Sequence, residues 1–361
     1  MSFSQDLFTR IALEAGHTQA FIDDCITYAN NLEAKGLPVI FSTSHLSQLL
    51  DVDIRNLIDF RSFYYKFYRI KKKNGKGFRQ IVVPYSNLKA VQRFINEEIL
   101  NKIPSHSCAY GFKQNKSILH NATPHKNAKA ILNIDLLKFF DSISERRVSG
   151  IFKAMGYSKN LSVVLAQLTT VVLPSDYLDT FSDKEVKAYK RLIKDGEPVL
   201  PQGAPTSPAL SNLILYRVDK RLHALALKRG IEYSRYADDL TFSGDIEKLP
   251  KLTLIARIIK DEGFNINWNK VGVYKKGRKQ MVTGLTVSND VHVHRTFKKE
   301  VKKHIFCCRK FGVTEHLKFL KIEKIGFYKE WLLGKINYIK SIEPKTGQLL
   351  TDSFNKITWP I

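Results

Sequence analysis

The sequence predicts an α+β protein, and three observations carry that reading. Hydrophobic residues make up 43% of the 361, enough to build an ordinary core rather than a disordered chain. Strand-like runs are interleaved with helical ones, and the strands arrive as hairpins rather than as strict βαβ repeats. A chain this long is expected to hold two or three packed units. Its charge is strongly one-sided: 58 Lys and Arg against 34 Asp and Glu leave a formal net charge of +24. A surface so basic suits a polyanion, nucleic acid foremost, with an anionic membrane surface or an acidic partner as the other readings.

Residues 1–60 read as helical. "SQDLFTRIALEAGHTQAFIDDCITYANNLEAKG" is stopped by Gly36 and Pro38, and "STSHLSQLLDVDIRNLIDF" gives two short amphipathic helices. "YKFYRIKKKNGKGFRQIVVP" predicts a hairpin with arms Phe63 to Ile70 and Phe78 to Val83 around Asn74, Gly75 and Gly77. Seven basic residues and no acidic one lie between Lys66 and Arg79, so the hairpin either contacts phosphates or carries a solvated tip. In "LKAVQRFINEEIL", Leu88, Val91, Ile95 and Ile99 share one helical face.

A buried strand, Ile131 to Ile134, then ends at Asp135. The polar stretch from about Pro174 to Pro198 reads as an insertion decorating the surface. "LPQGAPTSPALSNLILYRVDKRLHALALKRG" combines a Gly/Pro loop with a helix that turns Leu210, Ile214, Val218, Leu222 and Leu225 inward and stops at Gly230. A hairpin follows over 231–243, then a helix and a strand in "KLTLIARIIKDEGFNINWNKVGVY" and a strand in "QMVTGLTVS". From about Val291 the chain turns helical and basic. Phe297, Val301 and Ile305 line one face of "RTFKKEVKKHIFCCRK", and lysines flank it, as on a helix lying along a phosphate backbone or simply on a solvated one. No apolar run reaches the ~18 residues that span a bilayer, and the N-terminus does not read as a signal peptide. Cys25, Cys108, Cys307 and Cys308 lack metal-ligand spacing, so a reducing cytoplasm is the expected compartment.

The chemistry is expected in "SRYADDLTF". Asp238 and Asp239 fall at a hairpin turn, a position that accepts Asp for structural reasons alone. Asp135 alters the balance, because a carboxylate ending an apolar strand faces a crevice. If that strand lies beside the hairpin, three carboxylates meet and repel one another unless divalent cations join them. Oxygen ligands select Mg²⁺, and two such ions ~3.5–4 Å apart can stabilise both oxygens of an in-line phosphoryl displacement. Polymerase or nuclease chemistry follows from these residues.

At this point the chain resembles a known family. "YADD" at 236–239 is similar to the Y-x-D-D box of reverse transcriptases. "NIDLLKFFDSI" resembles their first catalytic box, and "LPQGAPTSPALSN" their Q-G-x-x-x-S-P box. "GFRQIVVPYSNLKAVQ", "EGFNINWNK" and "VTGL" follow the same order over residues 60 to 290. "NATPH" at 121–125, "VTG" at 282–284 and the stretch "GLPVIFSTSHLSQLLDVDIRNLI" narrow the resemblance to bacterial retron reverse transcriptases.

The resemblance implies a right-hand polymerase fold with fingers, a palm built on an antiparallel sheet and a helical thumb. Its parts would be a helical N-terminal extension over 1–60, fingers over 61–130 with part of 150–197, palm over 131–149 and 198–290, and a basic thumb over 291–361. It makes Asp135, Asp238 and Asp239 the catalytic ligands of two Mg²⁺ ions, with Mn²⁺ as a substitute. Phe140 would gate against a ribose 2′-OH, unless it is a plain core aromatic. Gln202, Gly203, Arg79 and Lys270 would bind the nucleotide; Lys270 would serve as proton donor to pyrophosphate or be an ordinary surface lysine. Some of Lys71, Lys72, Lys73 and Lys76 would join Arg79 in contacting the triphosphate or template, and Ser207 would cap the following helix. Asn121, His125, Val282, Thr283, Gly284, Lys298 and Lys302 would lie at the RNA or primer, His125 also suiting a structural role. The implied substrate is a structured non-coding RNA, primed at a 2′-OH of an internal guanosine. The product would be a DNA covalently joined to that RNA, held with an effector protein from the same locus in anti-phage defence. The competing readings are an abortive-infection or intron-type reverse transcriptase, and an RNA-binding scaffold restraining an effector.

Overall fold

The computed structural model describes residues 3–71, 78–174, 176–177, 183–321 and 327–360. Four helices open it: α1 (Gln5–Glu14), α2 (Gln19–Glu33), α3 (Thr43–Leu50) and α4 (Ile54–Asp59). The continuous helical run expected up to Gly36 is broken at Gly16, whose φ of 78° ends α1. Thr18 then starts α2 by accepting from the Phe21 N–H. Ser42 and Asp53 cap α3 and α4 in the same manner.

The basic hairpin is β1 (Tyr65–Lys71) paired antiparallel with β2 (Phe78–Pro84). Its expected turn at Asn74, Gly75 and Gly77, with Lys72, Lys73 and Lys76, lies outside the described residues. Helix α5 (Ser86–Phe94) runs on through a π turn at Ile95–Ile99, and its predicted face of Leu88, Val91, Ile95 and Ile99 is buried. After α6 (Ile118–Ala122) comes the central strand β3 (Ala130–Asp135). Helices α7 (Glu145–Met155), α8 (Lys159–Thr169), α9 (Asp183–Lys190), α10 (Ser207–Ile214) and α11 (Tyr216–Arg229) lead to β4 (Glu232–Tyr236) and β5 (Asp239–Gly244). Ser207 does not cap α10; its hydroxyl donates to the Pro201 carbonyl and closes the loop before the helix. Then follow α12 (Leu252–Asp261), β6 (Gly272–Lys275), β7 (Met281–Val282), β8 (Leu285–Thr286) and β9 (His292–Val293). The strand expected in "QMVTGLTVS" is a tight hairpin, β7 and β8 turning at Thr283-Gly284.

The main sheet has the order β4-β5-β3-β6, every pair antiparallel. Strand β3 is enclosed on both faces, and its alternation sorts two cores. Leu132 and Ile134 join Phe152, Leu165, Leu210, Leu222 and Ile255, from helices on one side. Ile131 joins Ala122, Val282, Leu285, Val301 and Leu332 on the other. The second core belongs to the terminal helices α13 (Arg295–Phe311), α14 (Val313–Phe319), α15 (Tyr328–Ile342) and α16 (Pro344–Phe354). Val301 and Ile305 are buried and Phe297 is packed against them, as the α13 pattern predicts. The insertion is not free decoration: Val171 and Val199 exchange backbone hydrogen bonds, and Tyr189, Ile193 and Val199 pack together. Among the described residues no helix is long and apolar enough to cross a membrane.

Candidate active site

The aspartate pair sits one residue later than a turn at both positions would put it. Tyr236 pairs with Asp239, so Ala237 and Asp238 form the two-residue loop and Asp239 starts β5. Ala237 adopts φ 56°, a left-handed conformation that costs about 1 kcal/mol for a residue with a Cβ. Something must hold it there, and Arg235 does. Its Nη1 donates to the Ala237 carbonyl at 3.0 Å and to Asn212 Oδ1 at 3.0 Å. Its Nε and Nη2 grip Asp219 at 2.8 and 2.6 Å, and Tyr233 Oη donates to the same carboxylate at 3.0 Å. Arg235 and Asp219 are both 0% exposed. Burial works against the guanidinium, yet Asp219 holds it charged, above its ordinary range. From the other side Gly111 lies flush with the turn: a Cβ there would meet the Ala237 nitrogen at 2.6 Å.

Asp135 ends β3 directly opposite Asp239. The Leu136 N–H donates to the Asp238 carbonyl at 3.0 Å, so the two acidic segments are joined through backbone. Asn267 donates to Asp135 Oδ1 at 3.0 Å, and Lys270 Nζ lies 2.6 Å from Oδ2. Burial draws Lys270 down, but the pairing with Asp135 outweighs it and keeps the ammonium charged. Burial, then Asp135, push Asp238 up from the usual carboxylate range. Asp239 is pushed to about 7 by its desolvating surroundings, then by Asp238 and Asp135; water at its open side works against that rise.

The expected nucleotide residues gather here. A cavity of about 140 Å³ is lined by Arg79, Asp135, Phe140, Gln202, Asp238 and Lys270. Gly203 has a different neighbour. Its φ is 134°, and a Cβ would lie 2.9 Å from the Val82 carbonyl, so the close approach it permits is to β2. A second concavity of about 300 Å³ shares Asp135 and Lys270 and is bounded by Asp239, Thr283 and Gly284.

"NATPH" and "VTG", far apart in sequence, meet beside that second concavity: Asn121 Nδ2 lies 3.5 Å from Thr283 Oγ1, 162 residues further along the chain. Thr283 has φ 47°, unusual for a β-branched residue, and its hydroxyl also reaches the Ile118 carbonyl. Val282 is buried in the second core. His125 is fully enclosed, its ring nitrogens 2.7 Å from the hydroxyls of Ser243 and Ser234. Burial holds its pKa down at about 4, so the ring is neutral. Asn121 and His125 therefore offer RNA no surface in this conformation; they tie the segment before β3 to the β4–β5 hairpin and to Thr283. Lys298 is paired with Glu343, both distances 2.8 Å, while Lys302 is exposed.

Arg235, Asp219, Asn267 and Gly111 are the residues that sequence reasoning missed. One signal was available: Asp219 stands within the inward stripe Leu215, Val218, Leu222 and Ala226 of α11, and a buried acid requires a partner.

Residues 70–306 match the family model described as "Reverse transcriptase (RNA-dependent DNA polymerase)". The chain is 34% identical over 332 residues to the retron Ec86 reverse transcriptase of Escherichia coli, covering 89% of this chain and 91% of that protein. It is 32% identical over 324 residues to the retron Mx65 reverse transcriptase of Myxococcus xanthus, covering 87% and 71%. A solved foamy viral protease-reverse transcriptase in complex with double-stranded DNA superposes with a TM-score of 0.42 at 16% identity, covering 84% of this chain and 42% of that one. The antiparallel sheet with its flanking helices is the right-hand polymerase fold, and the family's chemistry is divalent-metal nucleotidyl transfer. The chain belongs to the reverse transcriptase family, among the retron enzymes, and is an RNA-directed DNA polymerase.

Proposed function

We propose that Asp135 and Asp238, supported by Asp239, hold two Mg²⁺ ions and extend a DNA end on an RNA template. One observation carries this reading: the carboxylates of Asp135 and Asp238 face one cavity with Arg79, Gln202 and Phe140, and burial, then the repulsion of neighbouring carboxylates, raises the proton affinity of Asp238 and Asp239. Such a cluster calls for positive charge. Among the described residues no group of three or more His, Cys, Asp or Glu side chains is placed to hold a metal ion, which leaves a pair of carboxylates with open positions. That donor set suits Mg²⁺, which is usually held by one or two carboxylates together with substrate phosphates. When bound, the ions stabilise the attacking and leaving oxygens of the displacement.

The chain's own residues do the rest. Arg79 clamps the triphosphate, Gln202 meets the incoming nucleotide, and the Phe140 ring fills the space a 2′-OH would need. Lys270 leaves Asp135 for the phosphates and gives its proton to pyrophosphate. The Thr283-Gly284 turn, held by Asn121, guides the primer end beside Asp239. Lys302 and the neighbouring cations of α13 take phosphates of the RNA, while Lys298 braces the helix through Glu343. The template is a structured non-coding RNA that also primes, from the 2′-OH of an internal guanosine, so the product is a branched RNA–DNA molecule. The complex stays together in the cytoplasm, a setting that fits four free cysteines, and acts with an effector protein from its locus in anti-phage defence.

Asp238→Asn tests the core of this reading. DNA synthesis should fall below detection while RNA stays bound. Loss of RNA binding together with synthesis would make the aspartate structural and defeat the assignment.

A further inference from the structure

We propose that the insertion before the second catalytic loop supplies a specificity-determining residue. Tyr177, through its hydrogen bond to Asp141, fixes the Phe140 ring and so sets how strictly ribonucleotides are excluded. The inference rests on the reading of Phe140 as the sugar gate and extends it to a segment that sequence reasoning treats as decoration.

Phe140 and Asp141 begin one 3₁₀ turn, Phe140–Ser142. The turn is closed from behind by the Ser142 N–H on the Lys138 carbonyl at 2.9 Å and by the Ser142 hydroxyl on the Phe139 carbonyl at 2.8 Å. The Phe140 ring is steadied sideways by Phe139 and Phe112, with centroids 5.0 and 6.2 Å away. The carboxylate of the next residue, Asp141, accepts from Tyr177 Oη. Tyr177 is 5% exposed, and the Lys138 ammonium stands 5.6 Å from its ring centroid. Tyr177 and Asp141 both line the cavity that holds Arg79, Phe140 and Gln202.

The described parts of the insertion are anchored to the body of the protein. Its base is the Val171–Val199 pair, and Asn265 Nδ2 donates to the Ala188 carbonyl at 3.2 Å. Asp176, next to Tyr177, meets Arg69 of β1 at 2.9 Å. An exposed pair of that kind adds little stability. Its significance is its location, because it places the hairpin, the insertion and the gate turn in one chain of contacts. Burial lifts Asp141 to about 6, which leaves it ionised at neutral pH, and a hydrogen bond to an ionised acceptor is stronger than a neutral one. A steric gate discriminates by position, so a bond that holds its turn acts on the sugar through the ring.

The test is single-nucleotide incorporation by the full chain on an annealed RNA template and DNA primer, comparing dGTP with GTP. Tyr177→Phe keeps the ring and removes one oxygen. The ratio of kcat/KM for dGTP over GTP should fall about five- to tenfold, mainly through better use of GTP. Asp141→Leu should do the same, and Asp141→Asn, which retains an acceptor, should keep most of the ratio. Phe140→Ala is the separate check on the gate. If Phe140→Ala collapses the ratio while Tyr177→Phe and Asp141→Leu leave it unchanged, the role of Tyr177 is overturned and the gate stands. If Phe140→Ala changes nothing, both fall. An equal loss for dGTP and GTP in Tyr177→Phe would make the tyrosine structural and also overturn the proposal.

Discussion

Replacing Arg235 by methionine removes the group that spans the catalytic turn and its support. Asp219 would then remain buried at 0% exposure with the Tyr233 hydroxyl and the weakly donating Cys108 thiol as its side-chain partners. Breaking one side of a buried pair costs about 3–5 kcal/mol, and Arg235→Met should destabilise the protein by that amount. Arg235→Met/Asp219→Leu takes out both charges, and the cost of the stranded carboxylate disappears. The Ala237 carbonyl and Asn212 Oδ1 still lose their donor, about 1–3 kcal/mol for each that stays dry. A double-mutant cycle by urea unfolding should therefore show a coupling energy of about 2–3 kcal/mol. Activity should behave differently. With the Ala237 carbonyl released, the strained turn relaxes and Asp238 moves, and a displacement near 1 Å costs about 100-fold in rate. Single-turnover dNTP incorporation against Mg²⁺ concentration should give a low plateau and a raised Mg²⁺ requirement in the double variant, even where stability recovers. A double variant with wild-type rate and Mg²⁺ dependence would refute the assignment of Arg235 as the brace of the turn.

Three further outcomes follow from the same geometry. His125 is held neutral, with its pKa near 4 in the fold against about 6.5 when unfolded. Its contribution to stability is complete above pH 6.5 and is lost as pH falls, at about 1.4 kcal/mol per unit down to pH 4; His125→Gln should flatten that part of the stability–pH curve relative to wild type, and parallel curves would contradict it. Asp239, raised to about 7, should shed its proton when Mg²⁺ binds. Calorimetry in buffers of different ionisation enthalpy should find up to about three-quarters of a proton released at pH 6.5 and almost none at pH 8.5, with the release absent in Asp239→Asn. Gly111→Ala would push a Cβ to 2.6 Å from the Ala237 nitrogen; unfolding and incorporation assays should show a loss of about 1–3 kcal/mol and at least a tenfold slower rate.

The parts of the site that could be read in the sequence are those with a local signature. An apolar strand ending in Asp135 and a strand–turn–strand run around Asp238 state their geometry through alternation and turn chemistry, and the register Asp135 opposite Asp239 completes it. Phe140, Gln202 and Arg79 were reachable because family boxes name them. The supports were not legible, because their partners are distant and look ordinary. Arg235 reads as one more cation in a basic chain, and Asp219, although its place in the inward stripe of α11 calls for a partner, does not say which one. The meeting of Asn121 with Thr283 depends on how β7 and β8 fold back against α6. The close approach of Gly203 to the Val82 carbonyl depends on how the loop docks on β2, which no local pattern announces. Tyr177 lies in a polar stretch with no periodicity, and it gains meaning from the turn it touches.

The central claim is that the Asp135, Asp238 and Asp239 site copies an RNA that primes its own synthesis. Sequencing the nucleic acid that co-purifies with the protein, from cells carrying the whole locus, tests it most directly. The wild-type protein should carry an RNA joined through a 2′-linkage to a short DNA, and Asp238→Asn should carry the RNA without DNA. Unbranched RNA alone on the active wild type, or branched DNA persisting on Asp238→Asn, would contradict it.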